Sequence, residues 1–343
     1  MSNATPDRSA PSRKKALASV CILLVLTGVL VLLFQDNWAE ISAALAELSP
    51  WQVAAVLALG ITYPLLEGAA SWLIVRSRLP GFSLRHGVDN AWMGTFGNVI
   101  CLGAGAVPMQ TYYLHLCGLP LGPGVGLMTL QYVFHKTTVL LYATVLLLWH
   151  RSWLAAHTAG VLHYLPAAYA VVAGVIVGLV LLCASPLVQQ LARWALGKLP
   201  QSETWQARRE RWQTQLDTLS AESRHLLAEK RRCLALLAVH GVKLFLLFSI
   251  PYLCIRFMGL PCSLTFGQVQ LLGALMFFLS NALPNVAGMG SIETAFLLVF
   301  GCFFSRAQTM SILMLYRIAS YYWVTAASAV GFFGAQRRAQ TLV

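Results

Sequence analysis

The sequence predicts an all-α polytopic membrane protein with about six full spans plus two inverted re-entrant half-helix hairpins. Three observations lead there. Apolar residues fill 58% of the 343 positions and charged residues 10%, too little charge to cover a soluble chain of this size. The apolar residues gather into several runs of about 18 or more, the length at which a helix crosses a bilayer. Two further runs are broken near their middles by glycine, proline and polar residues.

Residues 1–15, MSNATPDRSAPSRKK, have the composition of a disordered cytoplasmic segment. Ala16–Phe34 reads as a first span and an anchor, because it is long enough to cross and carries no A-x-A cleavage site. In Asp36–Leu48, Trp38, Ile41, Leu45 and Leu48 recur at helical spacing, which predicts a short helix on the membrane surface. Trp51–Val75 returns the chain to the basic loop RSRLPGFSLRH.

Val88–Gly118 breaks at GAGAVP (103–108). From Asp89 to Leu102 a helix would reach only about 21 Å, against a hydrocarbon core of about 30 Å. The expectation is a pair of half-helices entering and leaving on the cytoplasmic side, capped by Asp89 and Asn90. Val125–Trp149 and Tyr164–Val188 follow as spans, the second with Gly174 and Gly178 at the spacing of a close helix contact. Residues 193–232 are polar, basic and amphipathic, either a surface helix bundle or a docking site for a partner or for anionic lipid. Leu234–Phe257 crosses again, Gly267–Phe304 holds the second break, and Thr309–Phe333 is the last span. The domain reading is a first membrane repeat at 16–192, the 193–232 loop, a second repeat at 233–335 and a tail at 336–343.

The formal charge is +12, but the basic residues cluster at Arg8/Arg13–Lys15, Arg76/Arg78/Arg85, 193–232 and Arg337/Arg338, each beside the end of an apolar run. That is the bias that sets orientation, with both termini cytoplasmic, and it argues against nucleic acid as the partner. A hairpin at 267–304 keeps every cluster inside, whereas a single crossing there would put Arg337 and Arg338 outside. The eight cysteines stand singly, without a C-x-x-C or a histidine at ligand spacing, so neither a metal site, a cofactor nor a disulfide framework is expected.

The two broken segments align with a shift of 183: Asn98 on Asn281, Gly105 on Gly288, Gln110 on Glu293, Tyr113 on Phe296 and Leu114 on Leu297. Each reads as an apolar half-helix, an Asn, a Gly-rich break and a second half-helix beginning near Pro108 or Ser291. One enters from inside and one from outside, the inverted pairing of transporters whose site lies at the midplane. Irregular backbone in a membrane needs protein or water around it, and half-helix N-termini there suit an anionic headgroup. The candidate translocation site therefore comprises Asn98, Gly105, Pro108, His135, Lys136, Asn281, Pro284, Gly288, Gly290, Ser291, Glu293 and Arg317. Charged groups in hydrocarbon are costly and so are candidates by default. Glu293 and Arg317 are expected to pair, and Lys136 is expected to meet Glu293 or a phosphate. Glu67 reads as a proton shuttle or an amide cap, and Lys243 with His240 as groups near a cytoplasmic end that snorkel outward.

LPNVAGMGSIETAFLLVFG (283–301) and YRIASYYW (316–323) resemble the lysylphosphatidylglycerol synthase transmembrane-region family, also described as flippase-like, over roughly residues 15–335. The resemblance falls on Pro284, Gly288, Gly290, Glu293 and Arg317, and more weakly on Asn98 and Gly105. It implies a membrane protein that translocates or presents a charged phospholipid, such as aminoacylated phosphatidylglycerol, across the cytoplasmic membrane of a bacterium. It links the chain to lipid metabolism and cationic-peptide resistance. The family usually places a proline near Cys101 and an arginine in the first glycine turn, where this chain has Ala104 and Ala106 around Gly105. The family's lysyltransferases add a large soluble domain after the membrane part, and this chain, ending at Val343, reads as the flippase half alone. The alternatives are a lysyltransferase-type enzyme and a scaffold holding a separate synthase through 193–232. No Ser/His/Asp set, metal cluster or nucleotide loop marks a catalytic centre.

Overall fold

The computed structural model describes residues 38–101, 103–157, 165–198, 203–281 and 290–340. The expected disordered segment 1–15 and first span Ala16–Phe34 lie outside these, as do Pro284 and Gly288. Among the described residues every regular element is a helix. In chain order they are α1 (Trp38–Ala46), α2 (Pro50–Val75), α3 (Leu84–Ile100), α4 (Ala106–Leu116), α5 (Leu121–Trp149), α6 (Arg151–Ala156) and α7 (Leu165–Ala184). There follow α8 (Pro186–Gly197), α9 (Glu203–Ala228), α10 (Lys230–Phe257), α11 (Phe266–Ser280), α12 (Ser291–Phe300) and α13 (Arg306–Arg317), then a π-helical turn (Ile318–Tyr322) and α14 (Trp323–Gln340). Among the described residues α2, α5 and α10 are long and apolar enough to cross a membrane, and α7 with α8 makes a fourth span if the bent pair counts as one. The protein is an all-α, multi-pass membrane protein.

Local chemistry fixes many helix starts. Ser49, Thr265 and Ser305 each stand three residues before a glutamine, and the glutamine oxygen accepts from the cap residue's own N–H at 2.8, 2.8 and 3.1 Å. Two of the expected elements and one expected glycine contact come out differently, and the polar segment takes a defined place. The Tyr164–Val188 span ends at Ala184, and the chain bends by 97° into α8. Ser185, extended at φ −101° and ψ 118°, precedes Pro186, whose ring disfavours helical geometry in the residue before it. Gly174 and Gly178 on α7 face open space, not a neighbouring helix. The polar segment 193–232 is largely α9, packed against α5, α7, α8 and α10, with Glu222 buried and bonded to Arg78 at 2.9 Å. Arg337 and Arg338 belong to α14, which runs on to Gln340, so the expected tail is in large part helix.

Each broken segment is a pair of helices packed on each other. The first begins at Leu84, earlier than expected, capped by Ser83, whose side chain accepts from the His86 N–H. Asp89 and Asn90 are therefore not its cap: Asp89 pairs with Arg338, and Asn90 donates to Ser71 Oγ at 2.7 Å. Gly94 lies against Gln110 and Gly97 against Met109, so α3 and α4 run antiparallel. Glycine is required there because a Cβ on Gly97 would sit 2.3 Å from the Met109 side chain.

The 183-residue shift extends well beyond the breaks. Applied to α2, α3, α4 and α5 it gives 233–258, 267–283, 289–299 and 304–332, beside α10 at 230–257, α11 at 266–280, α12 at 291–300 and the α13–α14 rod at 306–340. The packing follows the same exchange. α3 packs on α2 and α14, as α11 packs on α10 and α5. The leading helices α2 and α10 touch at Trp51–Phe257 near one end and at Glu67–Lys243 further along, which makes them antiparallel. Among the described residues the correspondence covers 50–149 against 230–340, and the leading helices of the two copies run in opposite directions.

The ends of the bundle differ chemically. One gathers Arg78, Arg193, Arg232 and Arg338, paired with Glu222, Asp217, Glu229 and Asp89. The other is aromatic, with Trp51 against Phe257 and with Trp153 stacked on Phe303.

Candidate functional site

The candidate residues fall into three groups. Asn98, Gly105 and Pro108 belong to the first hairpin's turn. The Asn98 carbonyl accepts from the Gly103 N–H at 2.7 Å, Gly103 has φ of 99°, and buried Gly105 lies against Gly97. Gly105 caps α4, so Pro108 occupies the third helical position, not the first. These contacts make the turn; they leave no charged group in it.

Glu293, Gly290, Ser291 and Arg317 form the second group. Glu293 Oε2 accepts from the Gly290 N–H at 2.7 Å, and Gly290 takes φ of 88°, which suits glycine. The cap of α12 is thus Gly290 with Glu293 reaching back to it; Ser291 is the first helical residue, its buried Oγ without a hydrogen-bond partner among the described residues. Glu293 Oε1 lies 2.7 Å from Arg317 Nε, both side chains 6% exposed or less. The guanidinium also sits 4.2 Å from the Tyr321 ring centroid, in the π-helical turn. The sequence expectation that Glu293 and Arg317 pair is what the geometry has.

The third group lies where α2, α5 and α10 meet. Lys243 is fully buried near the middle of α10 and is ion-paired with Glu67 of α2. It does not snorkel: about 13 residues separate it from the helix start, some 20 Å of rise. Glu67 Oε1 also accepts from the Gln131 side-chain amide at 2.6 Å, so of the two expected roles the geometry has the carboxylate holding a neighbouring helix's amide. The Lys243 ammonium stands 4.6 Å from the Tyr63 ring centroid. His240, one turn before Lys243, is fully buried and faces His135 of α5 with ring centroids 5.4 Å apart. His135 in turn meets Tyr63 and Phe277 edge-on. Lys136, half-buried, donates to Asn281 Oδ1 at the end of α11 and lies 5.2 Å from the Tyr132 ring centroid. Its partner is therefore the second break itself and not Glu293.

Reading residues singly missed Tyr63 and Gln131 and misplaced Lys243 and His240. The 183-residue shift relates α2 to α10 but does not say which of their faces meet. Trp51 beside Phe257 and Glu67 beside Lys243 are contacts that only the packing of α2 on α10 supplies. Among the described residues no group of three or more His, Cys, Asp or Glu side chains is arranged to hold a metal ion.

A family model described as the lysylphosphatidylglycerol synthase TM region matches residues 17–328. No curated protein matches the chain.

Proposed function

The chain belongs to the lysylphosphatidylglycerol synthase transmembrane-region family, and from that premise we propose that it translocates a charged phospholipid, aminoacylated phosphatidylglycerol among the candidates, across the cytoplasmic membrane. The observation that carries this reading is the pair of inverted units with a polar cluster buried where they cross. Inverted repeats can rock against each other and open a central site to either face in turn, and interrupted helices are tolerated where they line a wet cavity. The headgroup would move past Lys136, Asn281 and the neighbouring histidines while the acyl chains stay in hydrocarbon. The basic end, with Arg78, Arg232 and Arg338, would face the cytoplasm. Membrane lipid is then the partner, and a separate synthase would supply the aminoacylated form.

The test is reconstitution. Proteoliposomes loaded with lysylphosphatidylglycerol in the inner leaflet are expected to expose its amine to a membrane-impermeant reagent faster than protein-free liposomes. If folded protein moves none of a panel of anionic, zwitterionic and aminoacylated lipids, the reading falls.

A further inference from the structure

We infer that the cluster of His135, Lys136, His240 and Lys243 is a binding site for a phosphate anion, and that Glu293–Arg317 is not. The charge balance of the two groups differs. Glu293 and Arg317 neutralise each other, and the second carboxylate oxygen is used by the Gly290 N–H. The cluster where α2, α5 and α10 meet has two ammonium groups, Lys136 and Lys243, against one carboxylate, Glu67. With neutral histidines it is one positive charge in excess. Lys136 has an amide oxygen and an aromatic ring as partners, neither of which cancels a charge.

Hydrogen bonding points the same way. His240 is 0% exposed, and neither ring nitrogen has a hydrogen-bond partner among the described residues; His135 Nδ1 is also without one. A buried ring N–H left unbonded is costly, so this spot calls for an acceptor. The groups that face the histidines are Tyr63 and Glu67 from α2, Lys136 from α5, Lys243 from α10 and Phe277 from α11. The unbonded ring nitrogens call for an acceptor and the excess ammonium for a counter-charge, and an anion supplies both. A phosphate monoanion supplies one negative charge and several acceptor oxygens.

The inverted repeat provides an internal control. The 183-residue shift carries Gly60 onto Lys243 and Lys136 onto Ala319. At the α2 crossing, Gly60 and Ala319 lie backbone to backbone: a Cβ on Gly60 would be 2.0 Å from the Ala319 carbonyl oxygen. That crossing closes with the two smallest side chains, while the equivalent α10–α5 crossing carries both lysines. The architecture does not need charge there, so the lysines serve something other than packing.

This inference rests on the translocation reading only for the lipid as the source of the phosphate. The experiment measures binding by the full chain in neutral detergent to three probes: dihexanoyl phosphatidylglycerol, inorganic phosphate and dihexanoyl glycerol. The phosphatidylglycerol probe is expected to bind, with Lys136→Met and His240→Leu each weakening it about tenfold or more. His240→Gln, which keeps an N–H donor, is expected to retain most of the affinity. Binding of the lipid probe alone assigns a headgroup; equal sensitivity of inorganic phosphate to the same substitutions assigns a free anion. Dihexanoyl glycerol binding as tightly as the phosphatidylglycerol probe overturns the site. So does unchanged affinity in both Lys136→Met and His240→Leu, or in Lys136→Met alone where the histidine variant does not fold. Anion binding that depends on these residues without lipid movement in proteoliposomes leaves the site standing and removes the translocation reading; lipid movement untouched by the substitutions does the reverse.

Discussion

Glu293 serves two neighbours at once: one oxygen holds the Gly290 N–H at the start of α12, and the other meets Arg317 in a buried pair. Removing one member of such a pair leaves a bare charge, at a cost of about 3–5 kcal/mol. Arg317→Met is therefore expected to lower the thermal unfolding temperature of the purified protein markedly. Glu293→Gln/Arg317→Met, which removes both charges and keeps an acceptor for Gly290, is expected to recover much of the loss. Tryptophan fluorescence during heating reads both, and a single variant as stable as the parent would contradict the assignment. The same logic applies between α2 and α10: Lys243→Met strands Glu67, and Glu67→Gln/Lys243→Met relieves it. This pair of residues could be named from the sequence but not joined, because nothing in a list of apolar runs says which faces of two distant helices meet.

Among the elements, the two broken hairpins show most clearly where local sequence is sufficient. Ser83, Thr265 and Ser305 start their helices through hydrogen bonds within three residues, a signal that lies in the local chain although the apolar run pointed to Asp89 and Asn90 as the first hairpin's cap. Glycine is less transparent. Gly174 and Gly178 have the spacing of a helix contact yet face open space, whereas Gly60, without that spacing, meets the Ala319 backbone. Gly60→Ala should destabilise by about 1–3 kcal/mol through overpacking. Gly174→Ala should be neutral or stabilising by up to about 1 kcal/mol, from helix propensity. Melting curves of the two variants in one detergent compare them directly; equal losses would mean that the α2 crossing is not closed by backbone contact. A second element-level surprise is the bend at Ser185–Pro186, which shortens an apolar run that reads as one span.

For the whole molecule, the decisive feature is that two units with the same order of helices run in opposite directions. Their ends are chemically distinct, one laced by Arg–carboxylate pairs and the other holding stacked aromatic rings. Single cysteines at Ser77 and at Ser263, in the loops that follow α2 and its counterpart α10, should therefore be labelled from opposite sides by a membrane-impermeant maleimide in a chain freed of its eight native cysteines. Labelling of both from one side would break the inverted arrangement. Asp89 and Arg338, 249 residues apart in the chain, tie the first hairpin to α14, with Tyr113 donating to the same carboxylate at 3.3 Å.

The sequence by itself determined the membrane class, the helical content, the two interruptions, the 183-residue internal shift and the identity of the buried ions. Each is a property of hydrophobicity or of neighbours along the chain. Only the tertiary structure decided which ions share a partner, which glycine is a contact and which an idle gap, and that one crossing is sealed by Gly60 and Ala319 while its counterpart keeps two lysines. The reason is that burial and pairing depend on the rotation and depth of each helix against its neighbours. Those are set by packing between residues far apart in the chain.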